Sequence, residues 1–235
     1  GKDVFIEFGG VESCFYLWVN GIEIGYSQDS KLDASFDITS VIKTGTNELA
    51  LKVLQFCDGS YLEDQDYWHL SGIFRSVSLM AKPRMHIEDV FVKAEATGEV
   101  TMDVSVTRVS GFADTLVRLH IYDPDGKIIY KEKRAPACEV PPLYDRNAPM
   151  PGHAVFKIKL DNVKLWSPES PTRYRVHLAL LLPDSQDAAD RERVWFGFRT
   201  VKIENGILTL NGKRLVLRGV NRHEHSADTG RAVTR

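Results

Sequence analysis

A chain of 235 residues, 43% hydrophobic and 26% charged, has the composition of an ordinary globular protein and the length of one to two domains. Its 30 Lys and Arg nearly balance 32 Asp and Glu, so a net charge of -2 gives no electrostatic reason to expect nucleic acid or an anionic membrane as partner. No apolar run approaches the roughly 20 residues that span a bilayer. Cys14, Cys57 and Cys138 lack CxxC spacing and lie in or beside apolar segments, which predicts structural thiols in a reducing, cytoplasmic compartment. Gly1 to Phe8 already reads as a mid-sheet strand without an initiator Met or a leader, so the expectation is a chain cut from a longer protein.

Short segments rich in β-branched and aromatic residues follow one another: Val4 to Phe8, Phe15 to Val19, Ile22 to Tyr26, Glu48 to Phe56 and Ile73 to Met80. With turns such as Asn20-Gly21 between them, they predict an antiparallel β sandwich. Lys82-Pro83 closes the set, and a second opens at Ile87 to Lys93, where apolar and polar residues nearly alternate. Strands recur at Val100 to Val106, Leu116 to Tyr122, Ile128 to Glu132, Ala154 to Leu160, Tyr174 to Leu182 and Arg193 to Phe198, the spacing of a small sandwich. Asp123-Pro124-Asp125-Gly126 makes one hairpin turn, and the proline-rich span Ala135 to Gly152 reads as a surface excursion.

The last segment, LNGKRLVLRGVNRHEH from Leu210 to His225, sends an apolar run into a polar cluster. Leu215, Val216 and Leu217 are too few and too β-branched for a helix and predict a strand buried on both faces, as in parallel sheets. Arg218, Asn221, Arg222, His223, Glu224 and His225 then crowd its C-terminal end, where (β/α) barrels place their chemistry. The fold expected is therefore all-β: a jelly-roll-like β sandwich over 1–83, an immunoglobulin-like β sandwich over 84–199, and over 200–235 the first strand of a (β/α)8 barrel.

Two clusters carry chemistry. Glu63, Asp64 and Asp66 put three carboxylates into four positions beside Tyr61, Tyr67 and Trp68, a mixture that can accept sugar hydroxyl hydrogen bonds or hold a hard cation while an aromatic face covers the ring. A solvated acidic loop pinned by aromatic packing is the plainer reading of the same residues. His223 and His225, two apart, would fall on one side of an extended chain and could ligate zinc, but no third ligand is evident.

Over its full length the chain resembles the β-galactosidases of glycoside hydrolase family 2. DGSYLEDQDYWHLSGIFRSVSL (Asp58 to Leu79) is similar to that family's loop from its N-terminal sugar-binding domain, and GFRTVKIENGILTLNGKRLVLRGVNRHEH (Gly197 to His225) to the entry of its catalytic barrel. Lys164-Leu165-Trp166-Ser167-Pro168 to Tyr174 resembles a stretch of its middle domain, and the acidic loop ending Asp66-Tyr67-Trp68 favours galactosidases over the related β-glucuronidases and β-mannosidases. The resemblance implies part of a retaining enzyme that hydrolyses terminal β-D-galactosides such as lactose, as a homo-oligomer using Mg2+ and Na+. It implies that Asp66 contacts the galactosyl hydroxyls and ligates sodium, that His223 stabilises the transition state, and that Arg218, Asn221, Glu224 and His225 position these groups. It places both catalytic glutamates, and most ligands of the two ions, beyond Arg235, which leaves the chain inactive by itself. Ser226-Ala227 stands where the family commonly has His-Pro, so the loop after His225 is expected to be less rigidly set. A non-catalytic carbohydrate-binding or scaffolding β protein is the alternative.

Overall fold

Apolar residues at every second position give a strand one face to bury, and nearly all regular structure here is strand. The computed structural model describes residues 1–63, 68–107, 115–134, 152–183, 187–223 and 225–233. It divides into two units, Gly1–Lys82 with Gly219–Arg235, and Pro83–Arg218.

The first unit is built from β1 (Lys2–Phe8), β2 (Val11–Glu12), β3 (Cys14–Val19), β4 (Ile22–Gln28), β5 (Ala34–Asp37), β6 (Leu49–Leu54), one helical turn α1 (Ser60–Glu63), β7 (Gly72–Ile73) and β8 (Val77–Pro83). Two three-stranded sheets, β5-β1-β8 and β4-β3-β6, contribute alternate residues to one core, with Ile6 and Phe8 from β1 meeting Phe15, Leu17 and Val19 from β3. The rings of Phe8 and Phe15 lie 4.9 Å apart and Phe36 of β5 packs edge-on to Phe15 at 5.8 Å. Between β3 and β4, Asn20 and Gly21 both take positive φ, 52° and 79°, the turn whose twist matches paired strands. The segment expected as one strand over Ile73 to Met80 is two: β7 pairs with β2, and β8 lies beside β1.

In the second unit β9 (Ile87–Ala94), β10 (Glu99–Val106), β11 (Leu116–Tyr122), β12 (Ile128–Arg134), β13 (Gly152–Lys159), β14 (Tyr174–Leu181) and β15 (Ala188–Phe196) form two sheets, β13-β10-β9 and β12-β11-β14-β15. Val100, Met102 and Val104, then Val117, Leu119 and Ile121, then Val176, Leu178 and Leu180, all point into a shared core around Phe156. The Leu165-Trp166 stretch straps across this sandwich. Trp166 N–H donates to the Phe198 carbonyl at 2.8 Å, and the Tyr174 hydroxyl accepts from Lys164 N–H at 2.8 Å. Gly197 is where the strap crosses, since a Cβ there would sit 2.8 Å from the Trp166 Cβ.

The unit continues into β16 (Val201–Glu204), β17 (Ile207–Leu210) and β18 (Lys213–Arg214), an antiparallel sheet. Asn211 anchors it. Its backbone and side-chain amides bond the Thr200 carbonyl and the Trp166 carbonyl, and its side-chain oxygen accepts from Thr200 N–H. The Thr200 hydroxyl donates to Glu95 at 2.6 Å, which holds that carboxyl below its ordinary pKa.

One expectation fails here. Leu215, Val216 and Leu217 are not a buried strand: they lie outside any strand, with Val216 63% and Leu217 79% exposed. A parallel strand exists only through the ladder it shares with a parallel neighbour, and no named strand among the described residues offers one.

Phe156→Ala, at a side chain with no exposed surface, should cost about 3–5 kcal/mol of stability. Ile203→Ser, at a position 77% exposed, should stay within about 0.5 kcal/mol, and thermal unfolding of the two variants checks the contrast.

Candidate functional site

The candidate site lies in the first unit, where Trp68, just past the acidic stretch, meets His225 in the segment after Gly219. Before the loop, the chain turns at α1. Ser60 accepts from Cys57 N–H at 3.0 Å and shares a hydrogen bond with Ser13 at 3.1 Å, an ordinary side-chain lock on a one-turn helix. Glu63 does something the sequence did not announce. Its two carboxylate oxygens accept from the buried Ser30, one from N–H at 3.0 Å and one from the hydroxyl at 2.5 Å. One of the three clustered carboxylates is therefore a structural clamp on the base of the loop.

On the far side of the loop, Gln55 donates to the His69 carbonyl at 3.4 Å and the Phe56 ring packs against His69 at 5.6 Å. Both ends of the loop are thus tied to residues just past strand ends, Ser30 after β4 and Gln55 and Phe56 after β6. Asp64, Asp66, Tyr67 and Glu224 lie outside the described residues, so the sugar and sodium roles expected of Asp66 and the positioning role expected of Glu224 stay as expectations.

Phe74 organises the floor. It seats against Gly10, where a Cβ would meet its ring at 2.8 Å, and two guanidinium groups lie over it, Arg75 at 5.2 Å and Arg231 at 5.4 Å from the ring centroid. Arg75 donates to the Gly9 and Lys31 carbonyls, at 3.0 and 2.6 Å. Arg231 makes a largely buried ion pair with Glu12 and donates to the Leu70 carbonyl at 3.2 Å, a contact spanning 161 residues of sequence. Burial pushes the Arg231 guanidinium below its ordinary pKa, and the Glu12 carboxylate lies against it as counter-charge.

His223 and Arg222 open with Lys31, Phe74, Arg75, Arg231 and Val233 onto a hollow of about 270 Å³. His225 meets Trp68 edge to face, ring centroids 5.4 Å apart and planes at 82°. The structure thereby joins the two motifs that the sequence holds far apart. Arg218 and Asn221, expected to support His223, are exposed. The loop after His225 is closed by an antiparallel bridge from Ser226 to Gly230, and Ser226 Oγ accepts from Asp228 and Thr229 N–H at 3.2 and 3.4 Å.

Chemically the hollow is a set of N–H donors around an aromatic floor, suited to hydroxyl or anionic oxygens. Among the described residues no group of three or more His, Cys, Asp or Glu could hold a metal ion. The sequence does not single out Glu12 or Arg231, and it offers Glu63 only as one of the clustered carboxylates and not as a clamp, because their partners are set by tertiary contact and leave no local pattern.

Residues 1–83 match the sugar binding domain of glycosyl hydrolases family 2, residues 85–199 match glycosyl hydrolases family 2, and residues 201–235 match that family's TIM barrel domain. A β-galactosidase of Enterobacter cloacae is 42% identical over 232 residues, covering 97% of this chain. A β-galactosidase of Yersinia pestis bv. Antiqua (strain Angola) is 39% identical over 242 residues. The chain spans 22% of the length of each. Among solved structures, Bacteroides uniformis β-glucuronidase 2 superposes with a TM-score of 0.82 at 23% identity, over 99% of this chain and 29% of that one. The Bifidobacterium dentium β-glucuronidase superposes at 0.76 with 19% identity, over 100% of this chain and 42% of that one. At such identities the structures speak for the fold.

Arg231→Ala leaves Glu12 charged and largely buried, so it should cost about 3–5 kcal/mol. Arg231→Met with Glu12→Leu, which removes both charges, should cost clearly less than Arg231→Ala, as read by thermal unfolding of both variants.

Proposed function

We propose that this chain, which belongs to glycosyl hydrolase family 2, forms the sugar-recognition part and barrel entry of a retaining β-galactosidase acting on terminal β-D-galactosides such as lactose. The observation that carries the reading is the Trp68–His225 contact, which sets the residue that follows the acidic stretch beside the second histidine of the His-Glu-His motif. Identity near 40% to two β-galactosidases supports galactoside over glucuronide as substrate.

In this reading His223 donates to a sugar hydroxyl and Trp68 lends an apolar face to the ring. A donor aimed at the sugar as it flattens toward an oxocarbenium ion holds the transition state more tightly than the ground state. Asp66 accepts from galactosyl hydroxyls and supplies one ligand to a sodium ion. Retention also needs two carboxyl groups about 5–5.5 Å apart, one as nucleophile and one as acid/base. We assign these to later barrel strands, together with the magnesium ligands. Glu63 and Glu12 are occupied by Ser30 and Arg231 and are not candidates for either carboxyl role. The enzyme in this reading is a homo-oligomer, with neither nucleic acid nor membrane as partner, and cytoplasmic.

Asp66→Ala in the whole enzyme should lower kcat/KM and abolish the response to sodium together. Unchanged kinetics and sodium response would take Asp66 out of the site.

For His223→Ala, kcat and kcat/KM should both fall by the equivalent of about 2–4 kcal/mol with little change in ground-state binding. His225→Ala should be clearly milder, because its ring packs on Trp68. Equal losses in the two variants, with zinc recovered in the purified protein, would replace sugar contact by metal ligation.

A further inference from the structure

The strand register places an unusual set of side chains on the outer face of the four-stranded sheet of the second unit. Lys131, His120, His177 and Arg193 stand directly opposite one another across β12, β11, β14 and β15. The next row, two residues along, is Lys133, Arg118, Ala179 and Arg191. Every ionisable group in both rows is basic. Such a face is costly within a chain whose net charge is -2, since like charges directly opposite repel.

A hollow of about 530 Å³ opens between the rows, and Glu192 is the carboxylate among its described lining residues. Its floor is the histidine pair. The Tyr122 ring lies tilted against His177, centroids 4.6 Å apart, and under the Arg175 guanidinium at 4.8 Å. His177 Nε2 and Arg175 Nε are both buried without a hydrogen-bond partner among the described residues. Of the two, His177 lines the hollow, and its nitrogen left so beneath the flanking cations marks a place where a partner is missing.

We propose that this face is an oxyanion-binding site, seated over His120 and His177 and flanked by Arg118 and Arg193, for a phosphate- or sulfate-type group. Arginines on two strands supply planar N–H forks that fit such oxygens. The histidines make the site sensitive to pH. Burial, then Arg118, Lys131 and Lys133, lowers the pKa of His120, and burial, then Arg175, Arg193 and His120, lowers that of His177. Arg191 and Tyr122 complete the groups that face the pair, while Glu192 stands opposite Leu178 on the other side of β15. A bound dianion favours imidazolium, so binding takes up protons and tightens as pH falls.

Sulfate is the probe, because its charge stays constant between pH 8 and 5.5. Calorimetric titration of the intact protein with sodium sulfate, against sodium chloride at matched ionic strength, should show saturable binding for sulfate alone. Affinity should rise by about fivefold or more from pH 8 to 5.5, and His120→Gln with His177→Gln should remove that rise. Arg193→Gln should weaken sulfate about tenfold at both pH values. Lys157→Gln, exposed on the other sheet, should change nothing. Galactose 6-sulfate separates the sources of the group: affinity equal to that of sulfate means a free anion is recognised, and tighter affinity means an ester. Absence of saturable sulfate binding, or equal weakening by Lys157→Gln and Arg193→Gln, overturns the proposal.

Discussion

The buried pair between Arg231 and Glu12 is the joint on which the candidate site depends. Arg231 comes from the end of the chain and Glu12 from β2, and the same guanidinium reaches the Leu70 carbonyl and covers Phe74. A charge taken out of water must be compensated where it lies, so this contact has little freedom to slide. With Arg231 fixed, the segment bearing His223 and His225 is held beside the strand pair β2 and β7. Glu63 does the corresponding work on the loop side through Ser30. The groups proposed to touch sugar are thus kept distinct from the groups that position them.

Period-two patterning made most of the strands legible. Val100, Met102, Val104 and Val106 announce β10, and Asn-Gly pairs announce the turns at Asn20 and Asn211. Elements with weak patterns were not. β5 spells Ala-Ser-Phe-Asp, in which only Ala34 and Phe36 pack on the core, and β7 is two residues whose existence follows from pairing with β2. Leu215 to Leu217 misled in the opposite sense, since an apolar run says what a segment would bury given neighbours and not whether they are at hand. The contact of Trp68 with His225 could be reached in advance only through the family resemblance, because nothing local to either residue points to the other.

Fold and substrate rest on different footings. Superposition on β-glucuronidases fixes the order of sandwiches, yet a shared scaffold hosts several sugar chemistries. The proposed preference for galactoside leans instead on identity near 40% to two β-galactosidases, spread over 97% of this chain. The basic outer face of the second sandwich stands apart from this question, since its residues lie on strand faces away from the core.

That face and the core behind it are written on the same strands, in alternate letters. In β14, Arg175 and His177 face outward while Val176 and Leu178 face inward. A one-residue insertion or deletion within the strand would exchange the two sets and drive cations into the apolar layer. Evolution can therefore vary what these positions carry but hardly how many there are. Changes of length are left to connections such as Asp123 to Lys127, where added residues cost little more than the entropy of closing a longer loop.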